Sequence, residues 1–308
     1  MIPVQEQPVG SYGSKHPRRY TILPTVIERV LQYTLLAGIA MVSAVPFVWM
    51  VLSVFKPTSD LRFYPPRWLP TSWTLDNLIT AWTAGRVERY VLNTAFVATV
   101  TLIFFLLTTM MAGYAFARLD FPLKGPLFAL VLIVMMVPWP VTIIPSYILI
   151  AKFPLFGGND LFGQGGKGMI DSYWSLILPA ATGSFGIFLF RQFFRTLPKE
   201  MDDAARIDGA SELTILWRIV APLSGPAIAT MTIFQFQAVW NNFLWPFLVI
   251  NDSRKLMLQV GLYQMTNPYH QLPYVQMAGT LIATIPVVVI FFVGQKWFVR
   301  GIQLTGFV

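Results

Sequence analysis

The chain has 308 residues, of which 55% are hydrophobic, 15% aromatic and only 12% charged. A soluble domain carries about 25% charged residues, so a single membrane domain is predicted, not the two soluble domains that length alone suggests. The absence of cysteine excludes disulfides and thiol chemistry, and the net charge of +8, scattered over short connectors, reads as topology determinants beside anionic lipid and not as a nucleic-acid surface.

Residues 1–29 are polar and Pro-containing and are expected to form a cytoplasmic tail. The first apolar run is too long for a cleaved signal and reads as an uncleaved span. Charge-free runs occur at 30–55, 90–117, 125–151, 172–190, 219–251 and 256–295. Each reaches the ~18–20 apolar residues that cross a bilayer core of about 30 Å. The last begins with the polar, Pro-interrupted "LMLQVGLYQMTNPYHQLPY", so only 275–297 of it should cross. Backbone groups in lipid must be satisfied inside a helix or a closed barrel, and these runs lack a strand's two-residue alternation. The predicted fold is an all-α polytopic membrane protein, with six transmembrane helices over residues 30–299 and a second cytoplasmic tail at 300–308. With the N-terminus inside, thirteen of the 22 Lys and Arg fall on inner segments and nine on outer ones. This bias predicts that both termini, and residues 197–218 between spans four and five, lie on the cytoplasmic face of the membrane.

The outer loop 56–89 mixes Trp and Pro with a possible short amphipathic helix. Residues 152–171 contain "GGNDLFGQGGKG", which is expected to be flexible. That stretch is no nucleotide loop, because Gly168 follows Lys167 where Ser or Thr is required. Pro138, Pro140 and Pro145 interrupt the third run, and Pro46, Pro179 and Pro286 others; irregular packing is favoured over hinges.

Between the fourth and fifth runs lies "KEMDDAARIDGASELTILWRIVAPL", which holds five of the 14 acidic residues: Glu200, Asp202, Asp203, Asp208 and Glu212. It reads as two short helices. Pro198 can open the first, and its acidic first turn suits the helix dipole. Asp202 and Arg206 can pair at i,i+4. Gly209 breaks the run, and Ser211 resembles the N-cap of a second helix. Helix physics leaves two readings open. One is an amphipathic connector on the membrane face; the other is a docking helix–turn–helix with Ala204, Ala205 and Ala210 exposed to a soluble partner.

The segment "DAARIDGASELTILWRIVAP" resembles the cytoplasmic EAA loop of permease subunits of binding-protein-dependent ABC importers. That loop is Glu-Ala-Ala, three residues, Gly, nine residues, Ile, one residue, Leu-Pro. Here Asp203, Ala204, Ala205, Gly209, Ile219 and Pro222 hold the spacing, with Asp203 in place of Glu and Ala221 in place of Leu. The stretches "MMAGYAFARLDFP", "FQAVWNNFLWPFLVI" and "GQKWFVRGIQLTGFV" look like the carbohydrate, maltose-type branch. The resemblance implies a translocation subunit with no covalent chemistry of its own. It would pair with a second homologous permease, two ATPase subunits carrying ATP and Mg, and an extracytoplasmic sugar-binding protein. Asp203, Ala204, Ala205, Asp208, Gly209 and Ala210 would dock on an ATPase subunit, whose closure drives alternating access. This chain would bind no cofactor, metal or nucleic acid.

In the fifth run Gln235, Gln237, Asn241 and Asn242 lie among Phe234, Trp240, Phe243 and Trp245. Amides beside aromatic faces suit sugar hydroxyls and rings, so Gln235, Gln237, Trp240, Asn241 and Asn242 are candidate pathway residues. Interhelical hydrogen bonding is the competing reading. Asn93 reads as packing. An ion-coupled secondary transporter of a small polar solute would require ionisable groups within the spans, and the charge-free runs hold none. A membrane enzyme would require convergent carboxylates or histidines, and the acidic segment has no histidine neighbour.

Overall fold

The computed structural model describes residues 22–265 and 273–305, and all regular structure among them is helical. Residues 1–49 and 50–308 form two separate compact units. Most of α1 (Ile22–Val54) lies in the first. Its stretch Val26–Val54 is long and apolar enough to cross a membrane. A helix apolar on every side suits lipid.

In the second unit α3 (Val87–Arg118), the α6–α7 stretch Trp174–Thr196 and the Pro273–Gly294 part of α14 (Pro273–Thr305) could also cross. The third and fifth predicted spans are bent pairs. α4 (Lys124–Met136) meets α5 (Trp139–Ala151) at 106°, and Glu212–Leu223 meets α11 (Gly225–Trp240) at 85°. The described residues therefore hold four membrane-length stretches, or up to six if each bent pair is one span. The first bend belongs to Pro138. Val137 before it is extended (φ −77°, ψ 118°), as the residue before a proline prefers, and Pro138 has no N–H to continue the ladder. Pro140 lies in the first turn of α5, where an N–H is dispensable, and Pro46, Pro145, Pro179 and Pro286 sit inside helices. Irregular packing suffices for these; at Pro138 the chain turns a corner.

α3 is the hub. Its buried residues Thr94, Val97, Ala98, Thr101, Phe105, Thr109, Gly113 and Tyr114 recur at three- and four-residue spacing, which places them on one face. That face meets α7 (Ser184–Thr196) so closely that a Cβ on Gly113 would stand 2.7 Å from Phe190 Cβ. Small residues at such crossings are how helices associate in lipid, where no hydrophobic effect drives them together. Two apolar clusters flank the hub. One gathers Val87, Val97, Trp240, Trp245 and Leu258. The other gathers Phe105, Tyr114, Phe190, Phe194, Ala205, Ile215 and Leu216. Phe190 and Phe194 are fully buried, and truncation of either to Ala should cost about 3–5 kcal/mol.

The loop after α1 is tied down by polar contacts. Asp60 accepts from Thr71 N at 3.0 Å, buried Lys56 donates to Arg67 O at 2.7 Å, and Asn77 Nδ2 donates to Val54 O and Lys56 O at 2.8 Å. The expected short helix is α2 (Asp76–Trp82). Residues 152–171 correct the flexible-loop expectation. Asn159 Nδ2 bridges the carbonyls of Ala151 and Phe153 at 3.0 Å, and Asp160 Oδ1 accepts from Phe162 N and Gln164 N at 2.8 Å. Gly157 stands at φ 61°, where a Cβ would fall 1.9 Å from Gly168 O. These glycines let backbone approach backbone; they do not supply slack.

Candidate functional site

The segment that stood out in the sequence is a helix–turn–helix. α8 (Glu200–Ile207) has Glu200, Asp202 and Asp203 in its first turn. Gly209 closes it at φ 80°, with Gly209 N donating to Arg206 O at 3.0 Å and Ala210 N to Ala205 O at 2.9 Å. That pair of bonds is a Schellman ending, which requires a left-handed residue and selects Gly. Ser211 then caps α9 (Glu212–Ile215), its side chain accepting from Thr214 N at 3.3 Å. A π-helical turn over Leu216–Val220 and the short α10 (Ala221–Leu223) lead to Ser224 and the bend into α11.

Beneath the turn a polar network joins this element to α3. Arg118 Nε lies 2.9 Å from Asp202 Oδ2, with both side chains only 2% exposed. The contact is an ion pair without hydrogen-bond alignment, while Arg118 Nη2 donates to Leu197 O at 2.9 Å. Tyr114 donates to Glu212 Oε2 at 2.6 Å. Arg206 Nε donates to Glu212 Oε1, and its Nη1 to Asp203 Oδ1, each at 2.8 Å. Burial pushes the Asp202 carboxyl above its ordinary value, with Arg118 opposing, and hydrogen bonds to Glu212 push Arg206 up. The expected Asp202–Arg206 pair does not form. Asp202 points inward to Arg118, and Arg206 turns to Asp203 and Glu212 because the Gly209 turn brings Glu212 back alongside α8.

Exposure also departs from the sequence reading. Ala204 is exposed and Ala210 half-buried, but Ala205 is only 9% exposed and belongs to the second cluster. The outward apolar strip is Met201, Ala204 and Ile207, the last 87% exposed. Asp203, Asp208 and Gly209 border it on the surface. Ile207 and Met201 went unremarked in the sequence, although their i,i+3,i+6 spacing with Ala204 marks one helix face. Arg118 and Tyr114 were missed as well, since an Arg at the end of an apolar run reads as a topology signal. A pairing with Asp202 across so many residues has no local signature.

The pathway candidates divide. Gln235 Nε2 donates to Ala180 O at 3.0 Å, at the end of α6 (Trp174–Ala180), and Trp240 Nε1 donates to Ala283 O at 3.0 Å. Both tie helices together, the competing reading given above. Asn241 and Asn242 follow the end of α11. Asn241 is exposed, its Oδ1 3.5 Å from Gln259 Nε2, and Asn242 lines a cavity of about 110 Å³ with Trp139, Ser146 and Trp245. Gln237 is half-buried one turn before Asn241. Asn93 Nδ2 donates to Arg254 O and Leu256 O at 3.0 Å, which is packing.

An all-helical bundle with several membrane-length apolar stretches, broken spans and one charged helix–turn–helix standing out from it is the build of a membrane permease. Residues 105–304 match the family described as binding-protein-dependent transport system inner membrane component, and this chain belongs to that family. It is 34% identical over 273 residues to the arabinooligosaccharides transport system permease protein AraQ of Halalkalibacterium halodurans, covering 88% of this chain and 93% of the relative. It is 30% identical over 285 residues to the lactose transport system permease protein LacG of Rhizobium radiobacter, covering 91% and 97%. Its fold matches a chain in the crystal structure of a bacterial ABC transporter that imports the acidic polysaccharide alginate. The TM-score is 0.77 at 20% identity, over 95% of this chain and 100% of the other.

Proposed function

We propose that this chain is a transmembrane subunit of an ATP-driven carbohydrate importer. In this reading it spans the inner membrane with both termini and the helix–turn–helix in the cytoplasm, beside a second, homologous permease. Two ATPase subunits hold ATP and Mg, and an extracytoplasmic binding protein delivers the sugar. The observation that carries the reading is the surface of α8. Met201, Ala204 and Ile207 form a contiguous exposed apolar strip on an otherwise charged helix whose Gly-closed turn has the spacing of a coupling loop, which supports a partner's seat there. Asp203, Ala204, Asp208 and Gly209 border that seat, Ala210 supports the turn, and Ala205 acts from inside by packing. In this reading Gln237, Asn241 and Asn242 are the residues that meet the sugar, and Gln235 and Trp240 support them as interhelical ties. The relatives' named substrates, arabino-oligosaccharides and lactose, support a carbohydrate cargo.

Affinity purification of the tagged chain from its native membrane should bring an ATPase subunit with it. Cysteine at Ile207 or Ala204 should crosslink to that subunit, whereas cysteine at the buried Ala205 should not. Crosslinks from Ile207 to lipid or to other segments of this chain alone would refute the docking role.

A further inference from the structure

The helix–turn–helix has three connections to the rest of the bundle, two of them covalent. On entry only Leu197–Lys199 separate α7 from α8; on exit the chain runs from α9 through the π-helical turn Leu216–Val220 and α10 to Ser224, where it bends by 85° into α11. Ser224 leaves helical geometry there, at φ −95° and ψ 20°. A π-turn followed by a sharp bend is a joint, because the regular i→i+4 ladder that stiffens a helix is interrupted twice.

The third connection is not covalent and ties the element directly to α3. Arg118, in the last turn of α3, meets Asp202 of α8 at 2.9 Å with both side chains 2% exposed. The same guanidinium donates to Leu197 O just past α7. One turn earlier on α3, Tyr114 donates to Glu212 of α9 at 2.6 Å. Pulling α8 from α3 would strand two buried charges, which a low-dielectric setting strongly resists. Ala205 and Phe194 share an apolar cluster around this contact, so water has no easy way in.

We infer that Arg118 and Asp202, supported by Tyr114 and Glu212, are positioning residues that fasten the helix–turn–helix to α3. A push on α8 is delivered to α3 and α7 as one rigid body, while α11 follows through the joint at Ser224. The inference rests on the proposed function only for the origin of the push.

The test uses the whole complex with its ATPase subunits and spin labels on exposed positions. One pair is Glu200 with Asp120, just beyond α3; the other is Glu200 with Ala238 on α11. On adding a non-hydrolysable ATP analogue with Mg, the Glu200–Asp120 distance should hold while Glu200–Ala238 shifts by about 2 Å or more. In the double variant R118M/D202L, which leaves no orphaned charge, Glu200–Asp120 should broaden and move with nucleotide. A native Glu200–Asp120 distance that moves as far as Glu200–Ala238 overturns the inference, and so does a variant that behaves as native. If the variant fails to assemble, the two native distances still decide. If nucleotide moves neither distance although ATPase subunits are present, the inference fails and docking stands. If no ATPase subunit accompanies the chain, docking fails and takes the inference with it.

Discussion

At Gly209 the backbone stands at φ 80°, yet a Cβ built there would touch nothing within 4 Å. Substitution therefore strains the turn without crowding this chain, at a cost of about 1 kcal/mol. Gly209→Ala and Gly209→Trp should lower the melting temperature of the isolated chain by similar small amounts. Only the Trp variant should also lose the ATPase subunit in pull-downs; equal retention by both would show that no partner sits against the turn. Asp202 makes a second prediction. Its carboxyl is held above its ordinary value, so the folded chain binds that proton more tightly than the unfolded chain does. The resulting stabilisation is complete below the unfolded value of about 3.9 and is lost as pH rises through the folded one. Asp202→Asn should remove this contribution, so thermal melts should gain less on acidification than the native chain does; an unchanged pH profile would contradict the burial argument.

Among the elements, the α3–α7 crossing and the clamp beyond α5 carry the clearest consequences. Gly113→Leu would force side-chain atoms into Phe190 and should destabilise by about 1–3 kcal/mol or more, read as a lowered melting temperature in detergent. Asp171 Oδ1 accepts from Asn251 N at 2.5 Å and Asp252 N at 2.8 Å, joining the Gly-rich loop to the segment after α12 (Leu244–Val249). Burial raises its carboxyl, but those N–H groups, with Lys167 and Lys255, outweigh burial and hold it below the ordinary range. Its stabilisation is thus present above about pH 4 and fades as pH falls through the folded value, opposite in sign to Asp202. Asp171→Asn should open the 152–171 loop to limited proteolysis at neutral pH; resistance equal to native would show that the clamp is dispensable. The elements themselves were largely legible. Ser211 announced its cap and Gly209 its turn because both act within four residues. The order of the Gly-rich loop was not, since Asn159 and Asp160 work by folding back on carbonyls whose positions depend on the finished loop. Arg118 and Asp202 were illegible as a pair for the same reason, on a larger scale.

For the molecule as a whole, charge-free runs located the apolar stretches and their prolines marked the interruptions, but not which interruption turns a corner. A run of apolar letters looks the same whether it is straight or turns at Val137, and only the pre-proline backbone distinguishes the two. The fold match agrees with the all-helical membrane architecture expected from the apolar runs, and the family assignment with the permease resemblance of residues 203–222. The corner at Pro138 also bears on how the subunit survives before assembly. It interrupts the backbone ladder in a stretch apolar enough for lipid, which cannot solvate the freed groups, and α4 buries none of its residues within this chain. Synthesised without companions, the protein should be cleared by membrane proteases, and a pulse-chase half-life should lengthen several-fold on co-expression of the second permease.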